Sequence, residues 1–186
     1  MSHQKIQLKP LTRENFSAFG DVIDVCDSNH KIAINDGLAD RHHNLATVDV
    51  NDQNGHAIIS IIDTQETQLP LKVSVMERHP IGSQAFMPIG DSPYIVLVSP
   101  AGEFNPSKLC GFLAQPNQGI NYAKGTWHHA CISLYQSNQF LVVDRGGDGA
   151  NCDFITVPES INITIESAEV NEEFNVDFNV ESAATV

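Results

Sequence analysis

Glu77, His79, Gln84 and His128 are the side chains of this 186-residue chain whose types and spacing could hold a metal or move protons. In Val73-Ser74-Val75-Met76-Glu77-Arg78-His79, strand alternation predicts Val73, Val75, Glu77 and His79 on one face. The valines mark that face as interior, so a carboxylate and an imidazole continue an apolar row toward the strand's end. Gln84 follows five residues after His79, with Phe86 on its face. On a remote segment, His128, Ala130, Ile132 and Leu134 share a face of a predicted strand, again an apolar row headed by an imidazole. A lone His on such a face is ordinarily a hydrogen-bonded core residue, and Glu77 has Arg78 and Arg41 as potential ion-pair partners. The conjunction of Glu77-x-His79, Gln84 and Gly125-x-x-His128 favours a site. Oxygen and imidazole donors suit divalent Ni, Mn, Fe or Zn. Gln84 is a weak neutral donor, which predicts modest affinity.

The elements that must position these groups read as strands. The exception is a short N-terminal helix, capped by Thr12, filled by residues 13–19 and closed by Gly20. Strands are predicted at 20–25, 41–50, 57–63, 71–79, 84–88, 94–99, 109–114, 119–122, 127–135 and 140–144. Turns such as Asn54-Gly55, Gly90-Asp91-Ser92-Pro93 and Pro100-Ala101-Gly102 separate them. Many short strands with Gly/Pro punctuation indicate a β-sandwich or barrel. No internal repeat or dividing linker interrupts the chain. Residues 1–160 read as one domain and 161–186 as a mobile acidic extension, although Ile161–Ile165 alternates strictly and reads also as a strand.

Composition excludes several classes. Ten Lys and Arg against 23 Asp and Glu give a formal charge of −13, which disfavours nucleic acid and anionic membrane surfaces. From Glu159 onward there are seven acidic residues and no Lys or Arg. No apolar run approaches the ~20 residues of a spanning helix, and the start leads into no secretory h-region. The expected compartment is the cytoplasm. The four cysteines form no C-x-x-C pair and read as reduced thiols, Cys152 being the most accessible.

The pattern resembles the cupin superfamily. Glu77, His79, Gln84 and Gly90 occupy the ligand and Gly positions of the first cupin motif, and Gly125 and His128 the Gly-x-x-His of the second. Glu77 stands where that motif has a His, Gln84 where it has a Glu, Ala123 for the Pro and Ile132 for the final Asn. Within the superfamily the chain is similar to the ureidoglycolate lyase family. The segments that carry the likeness are residues 16–23, 34–38, 77–86 (ERHPIGSQAF), 119–122, Trp127-His128-His129, 144–147 and 151–153.

The resemblance implies a single all-β cupin (jelly-roll) barrel with a short N-terminal helix. It implies a soluble homodimeric enzyme, associated with nickel, that splits (S)-ureidoglycolate into glyoxylate and urea. The metal set it implies is Glu77, His79, Gln84 and His128. If metal is absent, Glu77, His79 and His128 become the acid and base. Arg41, Arg78, Arg145 and Lys124 are candidates to grip the substrate carboxylate, the guanidinium of an Arg matching it in bidentate fashion, although Arg78 alternates away from Glu77. His43 lies on Arg41's face; His129 points away from His128. Tyr122 either donates to an anion or packs, and Asp144-Arg145 reads as a structural pair. Two other classes share the pattern: another metal-dependent cupin enzyme (isomerase or dioxygenase) and a non-catalytic ligand-binding barrel.

Overall fold

The computed structural model describes residues 2–25, 31–158 and 161–165. Its strands are β1 (Ser2–Lys5), β2 (Leu8–Pro10), β3 (Gly20–Ile23), β4 (Lys31–Ile34), β5 (Ala39–His42), β6 (His56–Thr64), β7 (Leu71–Lys72), β8 (Val75–Arg78), β9 (Gln84–Pro88), β10 (Tyr94–Ser99), β11 (Cys110–Ala114), β12 (Gly119–Tyr122), β13 (Trp127–His128), β14 (Ile132–Ser133), β15 (Asn138–Gly146), β16 (Asp153–Thr156) and β17 (Ile161–Ile165). The one α-helix among the described residues, α1, spans Arg13–Phe16.

A seven-stranded sheet runs β16-β8-β13-β10-β11-β2, with β14 also on β10. It faces a five-stranded sheet of order β3-β12-β9-β15-β6. Between them Val96, Val98 and Phe112 of the first pack on Phe86, Ile120, Phe140 and Val142 of the second. Ile95, Leu97, Leu113 and Met76 point out of the opposite face of the larger sheet, where Ile6, Val73 and Leu71 meet them. A small sheet, β1-β17-β7, flanks that side. This explains why every residue of β10 is buried: alternation serves two cores rather than one core and solvent. The result is an all-β sandwich. The expected barrel is not closed by hydrogen bonds among the described residues, and β16, β2, β3 and β6 remain as edges.

The helix is one turn, not two. Thr12 Oγ1 accepts from the Asn15 amide at 3.1 Å, but the next turn tightens through Phe19 N–H to Phe16 O at 2.8 Å. That tightening turns Phe16 and Phe19 onto Phe112, with ring centroids 5.5 and 5.9 Å away. Gly20 then pairs with Tyr122. A Cβ at Gly20 would lie 1.9 Å from Asn121 O, so only glycine lets β3 approach β12 this closely.

Three predicted strands are broken. Residues 43–50 carry no strand after β5. The span 71–79 divides at Val73-Ser74, which changes its phase: Val73 joins the outer core with Met76, while Val75 is 41% exposed on Glu77's face. The valines therefore do not mark one interior row. The span 127–135 divides at 129–131. His128 pairs with Val98 and Ile132 with Ile95, so four steps oppose three. This one-residue bulge reverses the facing. His128 stacks on Tyr122 between the sheets, whereas Ile132 enters the outer core. At the start of the expected extension, Ile161–Ile165 forms β17, parallel to β1; residues 166–186 lie outside the described residues.

Candidate functional site

The site forms where the inner faces of the two sheets end. Glu77 on β8 pairs directly with His128 on β13, and opposed residues of antiparallel strands point to one face. Glu77 Oε1 lies 3.5 Å from His128 Nε2. His79 follows β8, and its ring centroid is 5.1 Å from that of His128. A loop clamp holds the two segments together: the Gly125 amide donates to His79 O at 2.8 Å. Gly125 has φ +77°, a left-handed conformation that costs an L residue about 1–2 kcal/mol.

Backbone carbonyls fix both imidazoles. His79 Nδ1 lies 2.6 Å from Asn151 O, and His128 Nδ1 lies 3.0 Å from Thr126 O. A carbonyl only accepts, so each Nδ1 carries the hydrogen, and in a neutral ring Nε2 then presents a lone pair. This is the arrangement of a metal-binding imidazole, oriented by its second nitrogen. One ligand atom each from Glu77, His79 and His128 lies within 4.8 Å of the others.

Across the gap, Gln84 pairs with Tyr122. Its Nε2 donates to Asp144 Oδ2 at 3.5 Å, which leaves Oε1 turned to the site. Asp144 continues the inward row of Phe140 and Val142 on β15, and Tyr122 stacks on His128 at 4.2 Å and 14°. His79 Nε2, His128 Nε2, Gln84 Oε1, the Tyr122 hydroxyl and Asp144 Oδ1 are all buried without a hydrogen-bond partner. Buried polar atoms are nearly always partnered, so five such atoms from neighbouring residues describe a place made for a ligand.

Electrostatics follow from burial. The contact with His128 holds the Glu77 carboxyl below its ordinary range, against the opposing effect of partial burial. Burial pushes His128 down, with Glu77 opposing, so the imidazole is neutral at neutral pH. Burial raises Tyr122 well above its ordinary value, so its hydroxyl stays protonated and able to donate.

The predicted cations are placed elsewhere. Arg145 points out of the opposite face of β15, where its guanidinium donates to the carbonyls of Asp52 at 2.8 Å and Asp148 at 2.7 Å. Lys124 is held by Asp49 and Asp52 at 2.8 and 2.9 Å. Arg78 bonds Asp153 at 2.8 Å and lies over Trp127 at 4.6 Å. Arg41 is exposed on the β4–β5 hairpin, and His43 is exposed beyond it. His129 Nδ1 bonds the neighbouring Ala130 carbonyl.

Sequence reasoning missed Asp144, reading it as Arg145's partner. The signal was present: Phe140, Val142 and Asp144 form an apolar row ending in a carboxylate, the same pattern that singled out His128. Cys152 also reaches the site's edge, its Sγ 3.9 Å from Glu77 Oε2.

The profile of the family described as ureidoglycolate lyase matches residues 3–164. A ureidoglycolate lyase of Burkholderia mallei is 46% identical over 159 residues, covering 86% of this chain and 93% of the relative. One from Pseudomonas aeruginosa is 41% identical over 165 residues, covering 87% and 97%. One from Mesorhizobium japonicum is 45% identical over 147 residues, covering 79% and 90%. With a match that spans both sheets and every residue of the Glu/His cluster, the chain belongs to the ureidoglycolate lyase family.

Proposed function

We propose that this protein is a cytoplasmic ureidoglycolate lyase that eliminates urea from (S)-ureidoglycolate to give glyoxylate, in the breakdown of allantoin. The convergence of five unpartnered buried polar atoms on one place supports this reading. The substrate carbon carries a hydroxyl, a carboxylate and a ureido nitrogen. Loss of the hydroxyl proton lets C=O form as the C–N bond breaks, and the nitrogen takes a proton as urea leaves. No water is added and no electrons are exchanged with a third party.

Glu77, His79, Gln84 and His128 would hold a divalent ion, with nickel the one that the resemblance implies. The unpartnered Nε2 atoms of His79 and His128 and the free Gln84 oxygen fit that role. When bound, such an ion supplies a Lewis acid for substrate oxygens. Asp144 Oδ1, an acceptor without a partner, takes the hydroxyl proton and returns it to the departing nitrogen on the same carbon. Gln84 steadies the other Asp144 oxygen. The Tyr122 hydroxyl donates to the ureido carbonyl and orients it.

The test is purified protein with (S)-ureidoglycolate, with and without chelator, scored for glyoxylate, urea and ammonia against spontaneous decay. Glyoxylate with an equal amount of urea is expected. Ammonia in place of urea would mean amide hydrolysis. A second reading, an iron dioxygenase, draws on the two-His, one-carboxylate set, and oxygen uptake tests it.

A further inference from the structure

The proposed substrate is an anion, yet Arg78, Arg145 and Lys124 are each committed to other groups. Arg41 is not: among the described residues its side chain makes no ion pair or hydrogen bond. It stands on a hairpin in which, among the described residues, β4 and β5 pair only with each other. Ile32 opposes Arg41, and Ile34 opposes Ala39, so these four side chains share one face. Lys31 and Asp40, bridged at 2.8 Å, occupy the other. One face is thus apolar with a guanidinium at its end. The tip is held in shape by Asn35, Asp36 and Gly37, all at positive φ, and Leu38 beyond it is 89% exposed. A lone two-stranded hairpin is marginal in water, and an apolar face with Ile32 46% and Ile34 36% exposed makes it more so.

The Glu/His site has a matching rim. Val75 and Phe154 lie on Glu77's inward face at 41% and 66% exposure. Ile58, opposite Asp144 on the facing sheet, is 38% exposed. The rim is apolar, and it opens on a carboxylate.

We propose that in a homodimer the β4–β5 hairpin of each subunit lies across the open rim of the other subunit's site, and that its Arg41 binds the substrate carboxylate there. The proposal rests on the anionic substrate inferred above. It commits the hairpin's apolar face to the Ile58–Val75–Phe154 rim and supplies a guanidinium that no described side chain of the subunit's own site provides. The exchange is two-fold and closes on itself.

Complementation tests it. Arg41→Ala is expected to raise KM roughly 10- to 100-fold with a smaller change in kcat, since an Arg–carboxylate contact is lost. His128→Ala is expected to be inactive. A heterodimer of the two, co-expressed with different tags and purified on both, has one site with His128 from one subunit and Arg41 from the other. At substrate well below KM it should show about half of wild-type activity, from one intact site in two. A heterodimer no more active than Arg41→Ala would overturn the exchange, as would an Arg41→Ala enzyme with unchanged KM. Sedimentation velocity needs no substrate, so it stands even if the lyase reading fails. The wild type should sediment as a dimer and Ile34→Glu should shift it toward monomer; a monomeric wild type, or a dimer indifferent to Ile34→Glu, refutes the hairpin contact.

Discussion

Tyr122→Phe should make the ligand-free protein more stable and the enzyme worse. The Tyr122 ring is 2% exposed and stacks on His128 at 4.2 Å. Phe keeps that ring and its edge contact with Phe86 at 5.9 Å, so packing changes little. What is lost is a hydroxyl buried without a partner. Such a group costs roughly 1–3 kcal/mol. At about 2–4 °C per kcal/mol for a chain of this size, the variant should melt roughly 2–12 °C higher in chelator. Turnover should move the other way. A hydrogen bond from the hydroxyl to the substrate contributes about 1–3 kcal/mol, so kcat/KM should fall roughly 5- to 150-fold. The assay is paired: calorimetry on chelated protein, and glyoxylate release under initial-rate conditions. An unchanged or lower Tm would mean that the hydroxyl is already satisfied. An unchanged kcat/KM would remove it from contact with the substrate.

Three other outcomes are expected. Asp144→Asn should lower kcat by about 10²–10⁴ while KM changes little, because an amide cannot accept the hydroxyl proton; equal metal content in both proteins excludes an indirect effect, and retained kcat removes Asp144 as the base. Gly20→Ala should destabilise by roughly 3 kcal/mol in urea melts, since a Cβ 1.9 Å from Asn121 O with φ at +147° forces β3 off β12; a loss under 1 kcal/mol would mean that this pairing yields easily. In chelator, stability should decline as pH falls below about 6.5, because the unfolded chain takes up the His128 proton that the folded site refuses. A second decline should begin below about 4.5, where unfolded Glu77 protonates before the folded carboxyl does. Thermal melts from pH 8 to 4 should show the first decline in the wild type and a shallower one in His128→Asn; equal slopes would remove His128 as its source.

The site was more legible than the strands that carry it. Glu77, His79, Gln84 and His128 declared themselves because each donor heads or follows an apolar row, and the structure brings them together. The rows themselves were partly misread. Period-2 reasoning assumes an unbroken strand, and both His-bearing segments are broken: one at Val73-Ser74, the other by the bulge at 129–131. His128 nevertheless reaches the inner face because its orientation is set by pairing with Val98 and Glu77, ahead of the bulge. The cations were least legible. Arg145 and Lys124 had suitable charge, but their partners are carbonyls and carboxylates of the 49–52 and 147–148 loops, which only the tertiary fold brings near. The carbonyls of Thr126 and Asn151 that set the tautomers left no trace in residue type, since any residue supplies one.

The extra residue between His128 and Ile132 also bears on how this protein tolerates changes of length. Deleting one residue from 129–131 would align the two half-strands on β10. Three steps would then oppose the three from Val98 to Ile95, an odd number, so a regular strand would keep the imidazole between the sheets and Ile132 in the outer core. Substitutions at exposed Ala130 should be borne easily, and a one-residue deletion beside it should leave both pairings with β10 in register. The two cores are thereby uncoupled: the hydrophobic packing behind β10 can drift by substitution while the His128 imidazole keeps its aim.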